Sequence, residues 1–241
     1  MERRAIFERR VRENEPDHCA VPTGMPGCPA GLEYLMRVDQ LLVQQRVELL
    51  EALTGFETAN KYTITDRLGQ QLYVAVEDSE CCVRYCCGPG RPFDIRVTDV
   101  TRREVLRLER PLRCQGCLCP QAWLQRLEAY SGPAPLGSVR QNWSVCTSSF
   151  DVLSADGDAV LAIEGPACAC SLCGDVAFRV LTADGRRPVG EITKQWGGLV
   201  REAFTDADTF GVTFPTDLDV KVKATLLGAT FLIDYTFFEK G

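Results

Sequence analysis

Four times along the chain a β-rich run turns back on itself within a few residues, and this recurrence constrains the fold more than any other feature. Tyr62-Thr63-Ile64-Thr65 passes through Asp66-Arg67-Leu68-Gly69 to Leu72-Tyr73-Val74-Ala75-Val76. Phe93-Asp94-Ile95-Arg96-Val97 turns near Asp99 into Val105-Leu106-Arg107-Leu108-Glu109. Phe150-Asp151-Val152-Leu153 turns at Asp156-Gly157 into Val160-Leu161-Ala162-Ile163-Glu164. Val176-Ala177-Phe178-Arg179-Val180 turns at Asp184-Gly185 into Val189-Gly190-Glu191-Ile192. Asp-Gly between β-formers supplies the positive φ that a tight hairpin needs. Four such units predict an antiparallel meander.

The second and third units also match each other. Phe93-Asp94, Val105-Leu106, Glu109, Pro111 and a cysteine cluster reappear as Phe150-Asp151, Val160-Leu161, Glu164, Pro166 and a second cluster. The offset falls from 57 to 55 residues because the third unit's turn is two residues shorter. An internal duplication accounts for this, and two similar halves can close on each other and so remove exposed sheet edges. The expected fold is therefore mainly β, a closed antiparallel barrel built from two similar halves. It should occupy residues 32–241 as one domain, behind a disordered tail at 1–31 that carries Pro16, Pro22, Pro26 and Pro29 without periodicity. From Leu32 to Leu53 the pattern reads as a short helix leading into a strand.

The most apolar stretch, 224–238, runs from Ala224 through Leu227, Phe231 and Asp234 to Phe238, between Lys221, Lys223 and Lys240. Two placements suit it. Fifteen residues of helix reach only about 22 Å, against about 30 Å of hydrocarbon, and a carboxylate within a span costs roughly 2.5–3.5 kcal/mol. A helix apolar all round suits a protein core equally well. In a closed barrel it would fill the lumen, and this placement is the favoured one.

Charge and residue usage exclude several function classes. The net charge of −6 gives no broad basic face, so nucleic acid is not an expected partner. The start of the chain shows no apolar leader, so the 13 cysteines are expected in a reducing compartment, where disulfides are not their role. The single histidine, His18, lies in the expected tail. A Ser-His-Asp or Cys-His nucleophile and a histidine-held catalytic zinc therefore lack their central residue, and no covalent chemistry is expected.

Two segments invite a ligand. Asp206 to Asp217 scans as a twelve-residue calcium loop, with carboxylates at positions one, three and twelve and Gly211 at six. Asp206, Asp208 and Asp217 would ligate by side chain and Val212 by its carbonyl, while Phe210 and Phe214 replace the polar residues of positions five and nine. Fewer charges predict a weak calcium site, roughly 10⁻⁴ to 10⁻³ M. The alternative is an acidic β-turn bonded to its own backbone. The cysteine runs, Cys114-x-x-Cys117-x-Cys119 among them, have the spacing of a structural zinc site, but buried core thiols are the plainer reading of most. Cys114, Cys117 and Cys119 fall between hairpins and are S-acylation candidates, and two chains would anchor where one is marginal.

Longer runs resemble the phospholipid scramblase family: Gly31-Leu32-Glu33-Tyr34-Leu35, Leu53-Thr54-Gly55-Phe56-Glu57-Thr58, Cys86-Cys87-Gly88-Pro89 and Leu108-Glu109-Arg110-Pro111-Leu112-Arg113-Cys114. Cys173-Gly174-Asp175-Val176, Arg201-Glu202-Ala203-Phe204-Thr205-Asp206-Ala207-Asp208 and the stretch from Gly228 to Asp234 are similar too. The resemblance implies a tubby-like barrel around a central helix, and ATP-independent, calcium-stimulated movement of phospholipid between leaflets. It implies calcium at Asp206, Asp208 and Asp217 with Phe210, Val212 and Phe214, and palmitate at Cys117 and Cys119 on the cytoplasmic face of the plasma membrane. A homo-oligomer is expected if scrambling is direct; an acyl-tethered lipid-binding or adaptor module is the alternative. Leu118, Gln121 and Ala122 stand where the family's acylation run has further cysteines. Glu191 replaces a lysine of the family's nuclear-import stretch, and the long Pro-rich start is largely missing. Nuclear import and SH3 or WW partners are accordingly not expected to carry over.

Overall fold

A computed structural model describes residues 27–46, 59–79, 81–112, 124–144, 147–166, 174–195 and 208–239. Twelve strands form a closed antiparallel barrel. They are β1 (Gln40–Arg46), β2 (Lys61–Thr65), β3 (Gln71–Asp78), β4 (Phe93–Asp99), β5 (Glu104–Arg110) and β6 (Arg126–Ser131). β7 (Ala134–Asn142), β8 (Ser149–Ser154), β9 (Ala159–Glu164), β10 (Val176–Thr182), β11 (Pro188–Gln195) and β12 (Thr209–Thr213) complete it. The four expected hairpins are β2–β3, β4–β5, β8–β9 and β10–β11. In the two Asp-Gly turns, Gly157 and Gly185 sit at φ 90° and 70°, the region where a Cβ would clash. A fifth hairpin, β6–β7, has no Asp-Gly signal and turns at Gly132-Pro133.

Closure comes from β1, which pairs with β12 on one side (Leu42 opposite Gly211) and β2 on the other (Leu42 opposite Thr65). Among the described strands no edge is left to pair with another chain. Alternation then sends one set of side chains inward, among them Ile95, Leu108, Leu127, Val139, Phe150, Val152, Phe178 and Val180. The duplicated residues Phe93 and Phe150 are both buried.

The lumen is filled by α2, Val220–Phe237, in which every residue from Lys223 to Tyr235 is buried. It begins four residues earlier than the apolar run, because Asp219 caps it by accepting from the backbone N–H groups of Lys221 and Val222. It ends at Phe237 rather than Phe238. The contact with the wall is close: a Cβ on Gly228 would stand 2.7 Å from Leu127 and 3.0 Å from Leu108. The Leu32–Leu53 region gives a 3-10 helix, Glu33–Met36, and then β1, with 47–53 outside the described residues. Of the expected tail, residues 1–26 lie outside the described residues. Gly31 donates its N–H to Glu33 and accepts from the Tyr73 hydroxyl, and a Cβ there would strike Val105, so the barrel already holds this backbone.

The two ends of the barrel differ. At one end, turns of two to five residues join successive strands, and the segment 214–219 leads into α2. At the other end the connections run from six residues (143–148) to fifteen (111–125). One of these contains a short helix absent from the sequence reading, α1 (Cys81–Cys87).

Candidate functional site

The barrel interior holds α2 by polar locks at both ends. At the tight-turn end Lys223 is fully buried. Its ammonium donates to three backbone carbonyls, Leu35 at 2.8 Å, Val38 at 3.0 Å and Thr216 at 2.8 Å. An ammonium has three protons, so all are used. Phe214 places its ring face 5.0 Å from the same nitrogen. Burial holds the Lys223 pKa below the ordinary lysine value, opposed by Asp217 and Asp39.

At the long-connection end the lock is a network. Tyr62 donates to Asp234 at 2.9 Å, and Tyr235 donates to Glu77 at 2.8 Å. Glu77 accepts from both Nε and Nη2 of Arg91, at 2.6 and 3.0 Å, and Arg91 reaches on to Glu239 at 2.7 Å. Asn60 donates to Glu239 at 2.9 Å and to the Tyr235 hydroxyl at 3.1 Å. Burial alone would raise the Glu77 pKa, but the hydrogen bonds and charge of Arg91 more than offset it and leave the carboxyl below its usual range. Asp234 goes the other way. Full burial raises its pKa well above the ordinary carboxylate range, with Asp208 adding repulsion and the Tyr62 hydrogen bond opposing. A buried carboxyl without a paired cation takes up a proton rather than keep its charge. The side-chain partner of Asp234 is thus the Tyr62 hydroxyl.

The segment proposed as a calcium loop takes another shape. Residues 209–213 are β12, a strand with neighbours on both sides. Phe210 is buried and packs its ring 5.7 Å from that of Phe238 at the end of α2. Val212 is buried between Leu41 and Ile192, and Phe214 is buried against Lys223. Asp208 lies before the strand, bound to Lys194 at 2.8 Å, and Asp217 lies after it in an exposed turn. Asp206 is outside the described residues.

Comparison with known proteins decides the family. A family model described as Scramblase matches residues 19–240. Phospholipid scramblase 1 of Homo sapiens is 53% identical over 213 residues, covering 88% of this chain and 67% of that protein. Phospholipid scramblase 2 of Bos taurus is 50% identical over 232 residues, 92% of this chain and 79% of that one. Phospholipid scramblase 4 of Homo sapiens is 41% identical over 223 residues, 91% and 67% respectively. The chain belongs to the scramblase family. No solved structure matches it.

In this chain the described part of the expected calcium loop does not close as one cage. A five-residue strand spans about 17 Å, whereas calcium–oxygen distances are about 2.3–2.6 Å. Asp208 and Asp217, at opposite ends of β12, cannot share an ion. Phe210 and Phe214, expected at positions five and nine, are both buried in the core, and the Val212 carbonyl belongs to a ladder strand. Among the described residues no group of three or more His, Cys, Asp or Glu side chains stands close enough to hold a metal.

The acylation candidates Cys114, Cys117 and Cys119 lie outside the described residues, in the connection that leaves β5 at the long-connection end. Among the helix residues singled out from the sequence, Ala224, Leu227, Phe231 and Asp234 face barrel walls, with the Phe231 ring 4.9 Å from that of Tyr62. Phe238, just past the helix, packs on Phe178 and Phe210 and receives Lys194 over its ring at 4.4 Å. The sequence reading missed Glu77, Arg91, Lys223 and Glu239 as a set. One signal was available for Lys223, a lysine one turn into an apolar helix. Glu77 and Arg91 carry none, because their meeting depends on the path of the connection between β3 and β4.

Proposed function

We propose that this protein is a membrane-associated phospholipid scramblase, moving phospholipid between leaflets in both directions without ATP and without covalent chemistry. The observation that carries the reading is the family match over residues 19–240, with relatives named phospholipid scramblases. Its membrane is the plasma membrane, approached from the cytoplasmic face, with palmitate on Cys117 and Cys119 as anchor. Calcium stimulation rests on the resemblance of the segment from Asp206 onward, and with β12 in between, Asp206 and Asp208 are its carriers rather than Asp217.

The geometry limits how lipid can move. Among the described residues no helix is long and apolar enough to cross a membrane. α2 is enclosed by twelve strands and locked at both ends, so it offers no polar groove to a headgroup. Lipid movement therefore works through local disturbance of the leaflet or through an assembly of several copies. The test is reconstitution of the full chain into liposomes with a fluorescent lipid. Calcium-dependent flip above that of empty vesicles is expected, rising with protein density; none at any density removes the reading.

The enclosed helix favours a second reading, an acyl-tethered lipid-binding or adaptor module that moves no lipid itself. Carbonate extraction after hydroxylamine has cleaved every thioester separates a tethered barrel, which is released, from a spanning helix, which is retained.

A further inference from the structure

The long-connection end holds a second cluster of thiols. Cys82, Cys86 and Cys87 all lie on α1 and all are exposed. Cys82 and Cys86 are four residues apart, so they share one helix face, with Cys87 beside them. α1 sits between β3 and β4, and around the rim the connections after β5 and β7 follow it. Val83 of α1 and Pro111 at the start of the β5–β6 connection line the same cavity of about 500 Å³. Leu112, next to Pro111, is 61% exposed, and Trp143 at the start of the following connection is 67% exposed.

Exposed apolar side chains alone do not choose an end, since Met36, Leu68 and Val100 decorate the tight-turn end. The thiols do choose. Among the described residues the tight-turn end has only Cys28, which is half-buried. Burial, with Glu33 and Asp219 nearby, pushes that thiol's pKa up and starves it of thiolate. The barrel flank is ruled out as a lipid face by what it carries. Cross-strand ion pairs such as Arg96–Asp78, Arg107–Asp94, Arg140–Asp151 and Arg179–Glu164 stand on its outer surface, where a membrane barrel shows an apolar band. An acidic chain also has little general attraction to anionic lipid. Membrane residence then falls to covalent anchors and interfacial side chains at an end, and one acyl chain binds only marginally.

We propose that α1 is a second S-acylation site, with Cys86 and Cys87 as acceptors and Cys82 on the same face, so that the long-connection end of the barrel faces the lipid. The inference rests on the membrane-tethered reading above, but not on lipid movement. The reaction is a thioester exchange. The cysteine loses its proton, its sulfur adds to the carbonyl of a long-chain acyl-CoA, and the new S–C bond forms as the coenzyme thiolate leaves and takes a proton. Nothing is oxidised or reduced. Trp143 and Leu112 would then rest at the interface beside the acyl chains, the ring of Trp143 at headgroup depth.

The direct test is mass mapping of thioesters on the full chain purified from eukaryotic cells. Trypsin cleaves after Arg84 and not before Pro92, so one peptide, Tyr85 to Arg96, reports on Cys86 and Cys87. A hydroxylamine-sensitive acyl mass on that peptide is expected. It should persist when Cys114, Cys117 and Cys119 are changed to Ser, and Cys28 should carry none. The membrane-bound share should fall about fivefold or more only when α1 carries Cys82→Ser, Cys86→Ser and Cys87→Ser in addition, because either cluster alone leaves two chains or more. A Tyr85–Arg96 peptide whose cysteines alkylate fully without hydroxylamine would overturn the proposal. Failure of the liposome assay with that acyl mass present would strike the scrambling reading alone.

Discussion

The two ends of the barrel do opposite work with the same helix. At the tight-turn end a single ammonium, Lys223, is met by three backbone carbonyls, so the lock is made of chain that the fold must place there anyway. At the long-connection end the lock is made of side chains, with Arg91 between two carboxylates and Asp234 bonded to a tyrosine. The first is a single cation satisfied by neutral acceptors. The second is a charge network whose members come from four separate stretches of chain. The difference teaches where this fold is self-sufficient and where it depends on its connections. Short turns define one end by local sequence, whereas the other end is set by which long connection reaches across.

Removing the hub of the network should show the largest effect. Arg91→Ala leaves Glu77 and Glu239 buried without their cation and should cost about 3–5 kcal/mol in denaturant unfolding. Glu239→Gln keeps an acceptor for Arg91 and should cost clearly less. If the two are alike, the network is not centred on Arg91.

Lys223→Met tests the other end. It fills the same volume but strips three carbonyls of their donor, and a loss of about 3 kcal/mol is expected from hydrogen bonds to a charged group. A loss equal to that of Arg91→Ala would erase the contrast between the ends. A stabilised variant would show that the buried charge outweighs its hydrogen bonds.

Asp234 sharpens the comparison through pH. Its folded-state pKa is raised, so the native state binds more protons than the unfolded chain above the ordinary carboxylate value, about 3.9. The contribution of Asp234 to stability is therefore full at low pH and is lost as pH rises through the folded value. Glu77, with a lowered pKa, contributes in the opposite sense, losing stability as pH falls. The difference in stability between Asp234→Asn and the parent chain should consequently change with pH in favour of the variant as pH rises. Asp234→Leu strands the Tyr62 hydroxyl and should cost about 1–3 kcal/mol at neutral pH. Chemical unfolding from pH 5 to 9 measures both, and a parallel pair of curves would mean that Asp234 does not titrate differently in the two states.

The smallest effect is expected at Asp206. Asp206→Ala should change stability by no more than about 0.5 kcal/mol. It should also abolish calcium-dependent Trp fluorescence if calcium acts through that carboxylate. An unchanged titration would remove Asp206 from the proposal.

Much of the barrel was legible because hairpins are written locally. The Asp-Gly turns at 156–157 and 184–185 and the alternation on either side decide strand, turn and register within about ten residues. The β6–β7 hairpin was missed because Gly132-Pro133 lacks that signature, and α1 because a seven-residue helix has too few turns to show a period. The acidic segment reads two ways for a related reason. Its aspartates have the spacing of a calcium loop, yet Phe210, Val212 and Phe214 alternate as a strand does, and the core takes all three. Spacing of polar groups is a weak constraint beside the burial of two phenylalanines and a valine.

By itself the sequence determined a mainly β chain of repeated hairpins with one all-round apolar helix, because period-two alternation and turn chemistry act between near neighbours. It left the place of that helix open, since hydrocarbon and protein core reward apolar surface alike. Tertiary structure decided it. Pairing of β1 with β12 closes a lumen of the right size, and Lys223 and Asp234 find partners there that lipid does not offer. Those partners lie up to 188 residues away, a separation at which no local pattern can announce the contact.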